Sequence, residues 1–330
     1  MTHHSFSRRG FLAAGAGGVL AATMGARPAL AATDVALQLS WLPSVQFGGS
    51  YIAQSRGYWR DLGLNVALNP GGPNAPVEPP VVAGSALMGI SAADYTAAAV
   101  AQGAPFRIIA VAMQKNPFAI ASLPAKPVNV PKDLEGKKIG MALANTPVLK
   151  ALCSLNDVDF DAIEIVPTQY DAAPLLAGQV DCLLCWETDL PVAMIMRGLK
   201  PITMLMADYG YAVQSQTYIA TDDSIANRRA DLIALLRGEI HGWSDYLADP
   251  AAAAALTVKM FPDAGLDLKT QELQAARQVP LMFSPVTEAH GFGWFTDDSI
   301  AANIKTLALL GQDVSPDLWD RSLLEEIHAS

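Results

Sequence analysis

The chain has 330 residues, about half of them apolar and 16% charged, with a formal net charge of −10. That length exceeds one ordinary core and predicts two lobes. The acidic balance argues against a nucleic acid or an anionic membrane surface as partner.

Ser7-Arg8-Arg9-Gly10-Phe11-Leu12 is a twin-arginine pattern, followed by a weakly apolar run rich in Ala and Gly. Ala29-Leu30-Ala31 offers a small-residue cleavage site, so residues 1–31 read as an export signal removed near Ala31. The run is short and interrupted by Arg27 and Pro28, a poor membrane anchor. This predicts a soluble, monomeric, periplasmic protein that has met the twin-arginine export machinery. His241, His290 and His328 lie far apart without metal-ligand spacing, and no cofactor motif is evident.

Val35 to Leu39 reads as a half-buried strand, Ser40 to Phe47 as an aromatic loop at its carboxyl end. Gly48 and Gly49 open a helix, Gly63 ends it, and Leu64 to Leu68 is the next strand. Open α/β sheets bind ligands outside the carboxyl ends of their strands, which puts Trp41 and Phe47 where a ligand is expected. Their alternative role is to plug the base of the lobe. Val77 to Ala83 is a short helix, Leu87 to Ser91 a buried strand, and Ala92 to Gln102 a helix with Ser91 as cap and Asp94 in its first turn. Phe106 to Gln114 and Phe118 to Leu123 are two more strands. A second cycle then places strands at 138–142, 161–166, 180–186 and 201–206. Helices lie at 146–155 (capped from Asn145), 171–177 and 188–196. The chain returns through 216–220 and is mainly helical from Asp222 onward. Alternating strands and helices predict a mostly parallel α/β sheet in each lobe. The expected division is lobe 1 over 32–122 and 218–330, lobe 2 over 123–217, with crossings near 121–125 and 216–221.

Cys182 and Cys185 have the spacing of a redox pair, but on a strand residues three apart face opposite sides, so both are expected to be buried small side chains. No Ser/His/Asp or Cys/His constellation is evident, which argues against catalysis.

The stretch from Trp41 to Val66 (WLPSVQFGGSYIAQSRGYWRDLGLNV) resembles the opening motif of the periplasmic binding proteins for the pyrimidine precursor of thiamine, shared with the related fungal pyrimidine synthases. Val82–Ser91, Pro131–Gly140 and Ala177–Asp181 extend the resemblance. It implies a type II periplasmic binding fold, two α/β lobes joined by two crossover segments. It also implies a solute receptor that delivers hydroxymethylpyrimidine or formylaminopyrimidine to an ABC permease in the inner membrane. In that family a Glu at the place of Glu187 accepts hydrogen bonds from the aminopyrimidine, as an acceptor-only carboxylate can. The enzymes place a histidine near Phe47 and carry a cysteine-rich motif that this chain lacks. Trp41 and Phe47 are candidates to stack on the ligand, with Trp186 and Glu187 facing them from lobe 2. Ser91, Asp94, Asn145 and Thr146 lie at helix starts that could hydrogen-bond it or simply cap. Tyr211, or Tyr209 beside it, could give a second stacking face. Flavins, hydantoins, other pyrimidines, aromatic acids or a sulfonate are the alternative ligands, and a sensory module or an enzyme of the pyrimidine synthase type is the alternative to a transport receptor.

Overall fold

The computed structural model describes residues 32–329, so the expected export signal lies outside the described residues. Two five-stranded sheets dominate. Strands β1 (Thr33–Gln38), β2 (Leu64–Asn69), β3 (Met88–Ala92) and β4 (Phe106–Met113) belong to the first sheet. Strands β5 (Phe118–Ser122), β6 (Lys138–Met141), β7 (Glu164–Pro167), β8 (Cys182–Trp186) and β9 (Ile202–Leu205) form the second. The chain then returns as β10 (Ser215–Thr221) to the first.

The two sheets repeat one order, β2-β1-β3-β10-β4 and β7-β6-β8-β5-β9. In each, the antiparallel member is the strand that has just crossed over: β10 lies between β3 and β4, β5 between β8 and β9. The crossings therefore span residues 114–117 and 210–214, not 121–125 and 216–221. Phe118–Ser122 reads equally well as a strand of either sheet. Its pairing with β8 and β9 decides the matter, and pairing of that range is not written in the local sequence. Similarly, β7 starts at Glu164 because Phe160–Ala162 closes a 3₁₀ turn capped by the Asp159 carboxylate.

Helices cover the sheets: α1 (Gly48–Arg56), α2 (Tyr58–Asp61), α3 (Glu78–Val82) and α4 (Ala93–Ala101) in the first lobe, then α5 (Thr146–Leu155), α6 (Ala173–Leu176) and α7 (Leu190–Met196) in the second. The remainder is α8 (Asp222–Asn227), α9 (Arg229–Ala248), α10 (Pro250–Met260), α11 (Leu268–Met282), α12 (Pro285–His290), α13 (Asp297–Leu309) and α14 (Ser322–His328). No helix among the described residues is long and apolar enough to cross a membrane.

The β8 strand shows the two-sided burial expected of it. Cys182 and Leu184 join one core cluster while Leu183 and Cys185 join the other, so the two thiols face away from each other and are free. The first lobe's core is tightest where α1 crosses α9. A Cβ on Gly242 would lie 2.0 Å from the Gly49 carbonyl oxygen, and one on Gly49 would lie 2.3 Å from the Trp243 ring. Only glycine lets these two backbones meet. Beside this crossing sits a fully buried carboxylate, Glu239. Its Oε2 accepts from Ser50 Oγ (3.0 Å), Tyr218 Oη (2.6 Å) and Trp243 Nε1 (3.1 Å), while Oε1 has no hydrogen-bond partner.

Candidate ligand-binding site

The carboxyl ends of β1, β3, β6 and β8 carry the residues singled out in the sequence, apart from Tyr211, which follows β9. After β1 the chain bends through Ser40–Ser44 and is held by Gly71, whose N–H donates to the Trp41 carbonyl at 3.0 Å. A Cβ at Gly71 would lie 2.4 Å from Leu39 O, so this approach requires glycine. The bend leaves Trp41 43% exposed, with Leu42 beside it also exposed. Phe47 behaves differently: the 3₁₀ turn Val45–Phe47 rolls it inward, where it is fully buried edge-on to Tyr51. Phe47 is a core residue and offers no face to a ligand.

At the end of β3, Ser91 Oγ donates to Glu78 Oε1 at 2.5 Å, and α4 starts after Ala92 without a side-chain cap. Ser91 is therefore neither the cap nor a free donor. Asp94 accepts from its own N–H and that of Tyr95. Burial still raises its carboxyl above the usual range, those two bonds pull the other way, and Glu78 adds a smaller upward push. Tyr95, next in the chain, is 67% exposed.

In the second lobe, Leu143 and Tyr170 project from the ends of β6 and β7, both largely exposed. Asn145 makes no cap bond. Its Nδ2 donates to the Tyr170 hydroxyl at 3.5 Å, while the Thr146 hydroxyl donates to the Leu143 carbonyl at 2.7 Å and is spent on its own turn. Tyr170 of the second lobe is among the groups that act electrostatically on Tyr95 of the first. The Tyr95 phenol is raised first by its surroundings, then by Asp94, Tyr170 and Glu78. Trp41, Leu42 and Tyr95 in the first lobe and Leu143 and Tyr170 in the second are thus exposed just beyond the carboxyl ends of strands, the end at which such sheets bind ligands.

Deeper in, Trp186 is half-buried edge-on to Phe118, which in turn packs edge-on to Tyr211. Tyr211 is 1% exposed, and burial drives its phenol far above the ordinary range. It supports Phe118 from behind and does not offer a stacking face.

Glu187 does not stand free in the cleft. It is ion-paired to Arg277 of α11. Burial raises its carboxyl, the Arg277 guanidinium opposes this, and the Thr203 hydroxyl helps. The same face of α11 holds both lobes. Gln271 Oε1 accepts from Val45 N at 2.7 Å, Gln278 Nε2 donates to the Gln46 carbonyl at 3.1 Å, and Gln274 Nε2 donates to Asp189 at 3.4 Å. The loop bearing Trp41 and the strand end bearing Glu187 are therefore tied to one helix. Asp189 stays solvent-accessible, yet the protein mass around it pushes its carboxyl up to about 6. It is a more accessible acceptor than Glu187.

Sequence reasoning missed Tyr95, Tyr170, Asp189 and Arg277. Tyr95 and Tyr170 carried a usable signal, aromatic side chains in the first residues after a predicted strand. Gln271, Gln274, Arg277 and Gln278 also spell one helical face, but nothing local says which lobe it meets.

Two concavities lie elsewhere. One of about 500 Å³, lined by Asp34, Gln54, Trp59 and Asn65, opens at the amino ends of β1 and β2, the end at which such sheets do not bind ligands. Another of about 180 Å³ sits behind the crossings, against Met113, Asn116, Val213 and Phe295. Among the described residues no His/Cys/Asp/Glu group could hold a metal ion.

Two α/β lobes with matched strand orders and a double crossing make this a type II periplasmic binding protein fold. The Escherichia coli periplasmic aliphatic sulphonate binding protein SsuA shares it, with a TM-score of 0.65 and 15% identity over 84% of this chain and 92% of that one. The chain belongs to the NMT1/THI5 like family, whose model matches residues 44–253. Among curated relatives, the riboflavin-binding protein RibY of Chloroflexus aurantiacus is 24% identical over 81% of this chain and 78% of its own length. The 4-amino-5-hydroxymethyl-2-methylpyrimidine phosphate synthase of Schizosaccharomyces pombe is 27% identical over 68% of each.

Proposed function

We propose that the protein is the solute-binding component of an ABC importer, working in the periplasm after twin-arginine export. In this reading it captures a neutral, planar nitrogen heterocycle between its lobes. The observation that carries the proposal is the set of exposed aromatic side chains just beyond the strands' carboxyl ends, Trp41 and Tyr95 from one lobe and Tyr170 from the other, where α/β sheets bind ligands. A flat ring stacks on such faces, each good pair contributing roughly 0.5–1.5 kcal/mol beyond burial. Asp189 supplies an acceptor for ring or amino N–H groups. Closure is favoured because only the closed state engages both lobes, and a permease would read that state.

The first ligand class is the aminopyrimidine precursor of thiamine, hydroxymethylpyrimidine or formylaminopyrimidine. Riboflavin is the second, favoured by the likeness to RibY along most of the chain and by a span of aromatics from lobe to lobe that suits a tricyclic ring. A receptor fits better than a synthase, because Phe47, near where the resembled enzymes place histidine, is sealed in the core. Calorimetric titration with both pyrimidines and with riboflavin tests the reading. Binding of at least one, weakened by substitution of Trp41 or Tyr95, is the expected result. Binding of an alkanesulfonate and of none of the heterocycles would refute it.

A further inference from the structure

We infer that the Arg277–Glu187 pair sets the charge of the ligand, so that the cleft takes neutral heterocycles and turns away their phosphorylated or sulfonated forms. The inference rests on the proposed reading of the cleft and adds a charge class to it.

Arg277 reaches from α11 of the first lobe, Glu187 from the end of β8 in the second, and the two side chains are 25% and 16% exposed. A guanidinium is a planar fork that matches phosphate and sulfonate two bonds at a time, and it is the group an anion-binding cleft would present. Here one arm of that fork, Nη1, is already paired with a carboxylate of the same protein, which offsets its charge. An anionic ligand at Arg277 would have to share the cation with Glu187 or displace it, leaving that carboxylate largely buried with its cation weakened or lost. Such a loss offsets what the new contact gains. The exposed carboxylate of Asp189, two residues beyond Glu187, reinforces the exclusion. A neutral ring has neither a displacement to make nor a repulsion to overcome. The arrangement is discrimination by an occupied cation, not by a missing one.

The pair predicts opposite gains on opposite deletions. Glu187→Gln frees Arg277 and leaves the site one unit more positive. Arg277→Gln frees Glu187 and leaves it one unit more negative. The probes are riboflavin and riboflavin 5′-phosphate, hydroxymethylpyrimidine and its phosphate, methanesulfonate as an anion without a ring, and thiamine as a cationic heterocycle. With wild type, the neutral member of each bound pair should be preferred by about 100-fold or more over its phosphate, and Glu187→Gln should shrink that ratio by about tenfold or more. Methanesulfonate should bind Glu187→Gln and not wild type. Arg277→Gln should keep the exclusion and bind thiamine more tightly than wild type, and the double variant should bring the anion preference back toward wild type. If wild type binds no heterocycle, the reading of the cleft fails, while methanesulfonate still tests the gate. A folded Glu187→Gln with unchanged neutral-to-phosphate ratios and no methanesulfonate binding would overturn the inference. Should Glu187→Gln not fold, an Arg277→Gln protein with wild-type affinity for thiamine overturns it equally.

Discussion

Replacing Glu239 by glutamine isolates the contribution of one buried carboxyl to the pH dependence of stability. Burial pushes this carboxyl from an ordinary 4.5 up to about 7, against the opposing pull of hydrogen bonds from Tyr218, Ser50 and Trp243. In the unfolded chain the proton leaves near 4.5, in the folded chain near 7. Between these values the unfolded state binds fewer protons, so the group's contribution is full below 4.5 and is lost as pH rises through 7. At 1.36 kcal/mol per pKa unit the loss amounts to about 3 kcal/mol, of which roughly 2.5 falls between about pH 5 and pH 8. Glutamine keeps an oxygen for the same three donors and cannot titrate. Urea denaturation of wild type and Glu239→Gln at half-unit steps across that range gives the difference in unfolding free energy, in which other titrating groups cancel. The difference should move in favour of the variant by about 2–3 kcal/mol from the acid to the alkaline end. A difference that stays flat would refute the claim that this carboxyl is protonated in the core at low pH.

Further outcomes follow from the packing and the cleft. Gly242→Ala drives a methyl group onto the Gly49 carbonyl, and backbone is the neighbour least able to yield. A loss of about 3 kcal/mol or more in urea, or failure to accumulate folded protein, is expected, and a midpoint equal to wild type would show that α1 and α9 can separate freely. Trp41→Ala removes a side chain already 43% exposed, so stability should change by less than about 1 kcal/mol. Ligand affinity should meanwhile fall up to about tenfold by titration, and unchanged affinity would remove Trp41 from the site. The thiols are held protonated by burial, Cys153 at about 11, Cys182 at about 12 and Cys185 well above its ordinary value. Ellman's reagent at neutral pH should therefore find none until denaturant is added and three afterwards.

Much of the architecture was legible because most strands and helices announce themselves locally, although the helix read as running from Gly48 to Gly63 breaks at Gly57, whose φ is +76°. The alternation in β8 even fixed the opposite facing of Cys182 and Cys185. What stayed illegible depends on partners distant in sequence. Phe118–Ser122 is an apolar strand with no local mark of its sheet, so the crossing was placed a few residues late. Glu187 was found where a strand ends in the cleft, but its companion Arg277 lies 90 residues on. Without that cation the carboxylate reads as a free acceptor. Phe47 and Tyr211 read as ligand contacts from aromatic character and loop position, and a side chain's inward or outward turn depends on a 3₁₀ twist or a neighbouring ring that neither reports. Glu239 looked like any acid on a long helix, since its burial arises only when α1 and β10 close over it.

The interleaved strand order has a consequence for how the molecule is made. The first sheet stays unfinished, with a gap between β3 and β4, until residues 215–221 are available to fill it. The amino-terminal lobe therefore cannot mature on the ribosome ahead of its neighbour, as independent domains do. It must wait, partly open, until the whole intervening lobe has been synthesised, and a fragment cut after the first crossing would expose two unsatisfied strand edges to aggregation.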